Sequence, residues 1–122
     1  MQDLPHSSQP LPVLAAALLA VSIEAPLSAQ WTNVSPAAGP SVRYSHAMAH
    51  DSQRGVTVLF GGKVGQPGYL GDTWEWDGNQ WSLVASSGPS MRFSPVMAYD
   101  EQRSLTVLLG GYDSNNRGDT WQ

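Results

Sequence analysis

The 122-residue chain contains no cysteine. That absence excludes a disulfide framework, thiol catalysis and thiolate metal sites, and by itself it leaves the redox compartment open. Charge is scarce as well: 13% of the residues are charged, and six Lys and Arg stand against ten Asp and Glu, for a net charge of -4. The basic residues are scattered singly, so no cationic stripe is available for a phosphate backbone and nucleic acid is not an expected partner. So little charge, together with five Trp, also argues against a disordered tail. No stretch after residue 30 has a convincing helical period, and the length leaves room for one domain of ordinary size.

Long apolar runs are missing too. The longest, Leu11 to Ile23 (LPVLAAALLAVSI), has 13 residues, whereas a spanning helix needs about 20. It has the length of a signal-peptide core, and Leu27, Ser28 and Ala29 before Gln30 resemble a small-residue cleavage site. Met1 to Pro10 departs from an ordinary leader, because it holds no Lys or Arg and Asp3 is its only charge. The expectation is an export signal over residues 1–29 and no membrane span. The destination is the cell exterior, the periplasm or the cell surface. An uncleaved anchor and an apolar segment without targeting meaning are the other readings. Cleavage after Ala29 leaves residues 30–122 with a net charge of -2, because Asp3 and Glu24 are lost.

What the sequence does have is a repeat. A shift of 49 places GPSVRYSHAMAHDSQRGVTVLFGG (39–62) on GPSMRFSPVMAYDEQRSLTVLLGG (88–111), and 15 of the 24 positions are identical. Average composition gives about two identities by chance, so internal duplication governs the reading of the fold. The flanks repeat with shifts of 50 and 47: Trp31 matches Trp81, and Gly71-Asp72-Thr73-Trp74 matches Gly118-Asp119-Thr120-Trp121. Length changes therefore fall in connections.

Each unit reads as short strands with strong punctuation. Ser45 to His50 and Ser94 to Tyr99 are extended-looking runs entered from a Gly-Pro turn and closed by Asp-x-Gln-Arg. Val56 to Phe60 and Leu105 to Leu109 are almost wholly apolar, as for strands covered on both faces. The doublets Gly61-Gly62 and Gly110-Gly111 are expected where the chain leaves the sheet. Asp72 to Trp76, the turn Asp77-Gly78-Asn79, and Gln80 to Val84 complete a hairpin. The expected unit is four antiparallel strands joined in series.

The period near 49, four strands per unit, a Gly-Gly doublet after the second strand and two Trp separated by a turn together resemble the kelch repeat of β-propellers. The likeness rests on Gly61, Gly62, Trp74 and Trp81 in the first unit and on Gly110, Gly111 and Trp121 in the second, and it covers Trp31 to Gln122. It implies an all-β fold of kelch-type blades, about two blade equivalents in all. Residues 31–34 would be strand d of a preceding blade, 39–84 a first complete blade and 88–122 a second blade clipped in strand c. It also implies that the strands from Ser45 and Ser94 lie nearest the axis, where the small Ala49 and Ala98 suit the crowding, and that Trp74, Trp81 and Trp121 pack between blades. Propellers close with 4 to 8 blades. The chain is then expected either to belong to a longer propeller or to self-assemble, for example three chains in a six-bladed ring.

Few residues suggest chemistry. His46 and His50, four apart on a strand, are about 13 Å from each other and cannot share a metal ion. The run from Asp113 to Gly118 starts like a calcium loop but has Arg117 at the fifth position, so it reads as a solvated connection. Gly61-Gly62-Lys63-Val64 lacks phosphate-loop spacing, and no G-x-S-x-G elbow exists. Asp72 and Asp119 recur in the same frame, which points to a cap or bridge within each unit rather than to paired catalytic carboxylates. Galactose oxidases, which have kelch-like propellers, use copper with a tyrosine crosslinked to cysteine, and the missing cysteine excludes that centre. No cofactor is expected.

Arg43 and Arg92 follow Gly-Pro-Ser-x and precede Tyr44 and Phe93. Arg beside an aromatic is enriched in interface hot spots, so these four residues are candidate contacts to a protein or glycan partner. The alternative is that each Arg pairs with Asp72 or Asp119, or with loop carbonyls, and fixes its unit. Arg54 and Arg103 pose the same choice. The functional expectation is an exported binding or scaffolding module. Its rival is part of a carbohydrate-active propeller enzyme with catalytic residues outside this chain.

Overall fold

Among the described residues seven strands form where the apolar runs and turn signals put them. The computed structural model describes residues 30–122 apart from Pro67, so the leader over residues 1–29 lies outside the described residues, and residues 32–122 form one unit. The strands are β1 (Ala47–Asp51), β2 (Val56–Lys63), β3 (Tyr69–Trp76), β4 (Trp81–Ala85), β5 (Val96–Asp100), β6 (Leu105–Tyr112) and β7 (Asn116–Trp121). They make two antiparallel sheets, a four-stranded β1-β2-β3-β4 and a three-stranded β5-β6-β7. No described residue is helical. The fold is all-β, with about two blade-like units in series.

The two central strands are each paired on both edges; β2 is covered on both faces, whereas β6, expected to be covered likewise, leaves Leu109 49% exposed on its outer face. In β2, Val58, Leu59 and Phe60 are buried, and Leu108 is the buried apolar residue of β6. Directly paired residues share a face of an antiparallel sheet. Val58 therefore joins Ala49 and Glu75, and Phe60 joins Ala47 and Thr73; Leu59 joins Met48 and Trp74 on the opposite face. In the second sheet Leu108 shares a face with Met97 and Trp121, and Leu109 shares the other with Val96 and Thr120.

The sheets pack with unlike faces together. Val58, Phe60 and Thr73 of the first sheet and Met97, Leu108 and Trp121 of the second line one cleft of about 400 Å³. Backbone approach between the sheets is confined to β1 against β5 and the adjoining part of β6, so the sheets diverge outward from their first strands. The small side chains of Ala47 and Ala49 permit this approach; Ala47 is buried there.

Two expectations need correction. The glycine doublets do not end their strands. Gly61 (φ 66°) and Gly62 (φ 104°) form a bulge inside β2, and Gly110 (φ 69°) and Gly111 (φ 102°) repeat it inside β6, with the ladders resuming at Gly62 and Gly111. A bulge bends a strand without releasing it, and these left-handed angles need glycine. Residues 31–34, expected as a strand, are irregular and exposed, with no ladder partner among the described residues. Of the three Trp expected between units, Trp121 lines the cleft. Trp74 shares the far face of the first sheet with Leu59, and Trp81 lies under Gly39, where a Cβ would be 3.1 Å from the indole.

Candidate functional site

The repeated arginines are internal struts. Arg43 donates from both terminal nitrogens to Asp72, at 2.7 Å and 2.9 Å, and also to the carbonyls of Gly61 and Ser41 and to Ser41 Oγ. Arg92 repeats the set on Asp119 at 2.6 Å and 2.9 Å, on the carbonyls of Gly110 and Ser90, and on Ser90 Oγ. The indole N–H of Trp74 donates to Asp72 at 2.5 Å, and that of Trp121 to Asp119 at 2.6 Å. A guanidinium fork suits this planar double bond to a carboxylate. The side chains of Arg43 and Arg92 are 4% and 1% exposed.

This geometry corrects the reading of Arg43 and Arg92 as partner contacts: their donors are used within the fold and water barely reaches them. The carboxylates respond accordingly. Hydrogen bonds from Arg43 hold Asp72 down to about 2, with the Trp74 indole adding to the effect against the opposing influence of burial. Asp119 is held well below the usual carboxylate range, chiefly by Arg92 and then by Trp121. Arg54 bonds Asp51 in its own turn at 2.5 Å and Glu75 on β3 at 2.8 Å, and Arg103 pairs with Asp100 in its turn at 2.6 Å, so both are also engaged within the fold. Arg117, on β7, pairs with Asp113 in the preceding turn, and Asp113 also accepts from Ser90 Oγ.

The Arg-aromatic segment also joins the two units. Gly62 N–H donates to the Arg92 carbonyl at 2.8 Å, Arg92 N–H to the Leu70 carbonyl at 2.9 Å, and Ser94 N–H to the Ser45 carbonyl at 2.7 Å. Ser45 (φ 54°) and Ser94 (φ 53°) hold left-handed backbone that turns the chain from this segment into β1 and β5.

Beside these struts runs an aromatic row at the end of the sheets where β2 passes to β3. Tyr44 bridges to Lys63, and Phe93 to Tyr112, through paired backbone bonds. The Lys63 ammonium lies 5.5 Å from the Tyr69 ring centre and 5.2 Å from that of Phe93. Phe93 stacks on Tyr69 at 5.5 Å and tilts against Tyr112 at 5.4 Å. Tyr44 is 51% exposed and Tyr112 37%, and Val42, Val64 and Met91 are exposed near them. Of the residues singled out in the sequence, Tyr44 and Phe93 belong to this row, Tyr44 as an open face and Phe93 as its half-buried centre.

Lys63, Tyr69 and Tyr112 do not stand out in the sequence. Lys63 and Tyr112 occupy the same place in the repeat, directly after the glycine doublet, and that place differs between the units where its surroundings match. His46 precedes β1, and its Nδ1 is buried without a hydrogen-bond partner, while His50 bonds Thr57 at 3.2 Å. Among the described residues no three His, Asp or Glu side chains converge as a metal site would require. No family model matches the chain, and no curated protein matches its sequence.

Proposed function

We propose that the chain is an exported, kelch-like β-propeller segment that binds a protein or glycan partner through the loops at one end of its blades. The observation that carries this reading is the row formed by Tyr44, Lys63, Tyr69, Phe93 and Tyr112, with two of its aromatic faces open to water. Aromatic rings give large contact area at low entropic cost, and a ring face suits either a sugar's C–H face or an apolar peptide side chain. The Lys63 ammonium, buried at 8% exposure beside the stacked Tyr69 and Phe93 rings, braces the row from within and leaves the contact surface to the exposed tyrosines. The 13-residue apolar run followed by Leu27, Ser28 and Ala29 supports export.

A combined glycan and peptide array, probed with the wild-type protein and with a Tyr44→Ala, Tyr112→Ala double variant, tests the assignment. The expected result is a restricted set of ligands retained by the wild type and lost at least tenfold by the variant, with unchanged circular dichroism. Undiminished binding by the folded variant overturns it.

A further inference from the structure

The contact between the two units is directional, and most of the groups that make it are present a second time with no neighbour among the described residues. In the observed contact the first sheet contributes the face bearing Val58 and Phe60, and the second contributes the face bearing Met97 and Leu108. Phe60 and Ala47 are 2% and 7% exposed there. Their counterparts on the outer face of the second sheet, Leu109 and Val96, are 49% and 67% exposed. The first sheet presents the matching half. Met48, the counterpart of Met97, is 45% exposed, and Leu59, the counterpart of Leu108, lines a cleft of about 500 Å³ with Gly39 and Pro40. Gly88 and Pro89, the counterparts of Gly39 and Pro40, line the filled contact in the same way.

The backbone seats repeat as well. Gly110 and Gly111 hold the angles of Gly61 and Gly62 to within a few degrees. A Cβ at Gly61 would be 2.6 Å from the Arg92 carbonyl that occupies its seat, whereas one at Gly110 meets only its own sheet at Arg117. At the other end, the N–H and carbonyl of Arg43, the N–H of Ser45 and the carbonyl of Ser94 have no backbone partner among the described residues.

From this we infer that the outer face of the second sheet, around Val96, Leu109 and the Gly110-Gly111 seat, is a docking surface for the first unit of a second copy of this chain. The incoming copy places its Arg43 backbone at Gly111 and Arg117, as Arg92 sits at Gly62 and Leu70, and its Ser45 amide at the Ser94 carbonyl. Its exposed Met48 covers Val96 and Leu109, beside the cleft lined by the already buried Leu59. The occupant is specified by the chain's own internal contact, since the two surfaces are the two halves of that contact. Because the halves differ, the association is head-to-tail, and it must close into a ring or extend. Ligand binding at the aromatic row is not required for it.

Sedimentation of the full chain between 1 μM and 200 μM, together with oxidative crosslinking, tests the inference. Wild type is expected to form a discrete species larger than one chain, and Val96→Glu, at an exposed position that folding does not use, to remain monomeric with an unchanged spectrum. A mixture of Ser45→Cys and Ser94→Cys proteins is expected to form the mixed disulfide in at least fivefold excess over either protein's self-pair. A wild-type monomer across the whole range, association undiminished in Val96→Glu, or self-pairs equalling the mixed pair would each overturn the proposal. None of these outcomes bears on the array result.

Discussion

The backbone carbonyl of Arg92 accepts a 2.8 Å hydrogen bond from the amide of Gly62, so one repeat's arginine segment is seated in the other repeat's glycine bulge. Side chain and backbone of this residue thus have different jobs: the guanidinium braces its own sheet, and the peptide groups on either side of its Cα hold the neighbouring one.

That seat leaves no room for a Cβ. Gly61 and Gly55 share nearly the same left-handed φ, 66° and 68°, but a Cβ at Gly55 meets nothing within 4 Å. Gly55→Ala is expected to cost about 1 kcal/mol, the ordinary penalty of left-handed backbone. Gly61→Ala is expected to cost at least about 1–2 kcal/mol more, as an overpacked contact does. Urea midpoints measure the difference, and equal costs would remove the seat from the explanation.

Lysine cannot replace the strut at Arg92. It supplies one ammonium where the structure uses three nitrogens against Asp119, the Gly110 carbonyl and Ser90. Arg92→Lys is expected to lower stability by about 1–3 kcal/mol despite keeping the charge, because the buried Gly110 carbonyl and the part-exposed Asp119 carboxylate lose donors. Thermal denaturation reads this as a clear fall in Tm.

Acid should loosen the fold in a defined window. Asp72 titrates at about 2 against an ordinary 3.8, and Asp113 is likewise lowered to about 2, chiefly by Arg117. Protonation is harder in the folded than in the unfolded state, so the stabilisation is complete above about pH 4 and is lost as pH falls toward 2. Chemical denaturation at pH 6, 4, 3 and 2 is expected to show a decline concentrated below 4, and Asp72→Asn is expected to flatten it.

How much of this is legible in the sequence depends on the range of each interaction. The run VTVLF, the Asp77-Gly78-Asn79 turn and the 49-residue shift are local or periodic signals, and the strands and their serial order follow from them. The pairing of Arg43 with Asp72 can be posed from their joint recurrence with Arg92 and Asp119, but the neighbouring aromatic suggests recognition equally well. Nothing within a few residues of Arg43 shows that its acceptors lie 29 positions away, at Asp72, and 18 away, at Gly61. The bulge escapes the sequence for the same reason. A glycine doublet permits both a strand exit and a bulge, and what decides is the resumed pairing of Gly62 with Leu70 and the arrival of the Arg92 carbonyl from the other unit. The aromatic row is invisible in the sequence because Lys63, Tyr69 and Phe93 meet only after both units have folded against each other.

The central claim is that the repeated arginine works as an internal strut while recognition belongs to the aromatic row. A double-mutant cycle on Arg43→Met and Asp72→Asn, with array binding measured on each folded variant, tests it most directly. A coupling of about 1–2 kcal/mol in stability is expected, with unchanged ligand binding in the variants that remain folded. A coupling below about 0.3 kcal/mol in cooperatively folded variants, accompanied by loss of ligand binding, would contradict the account.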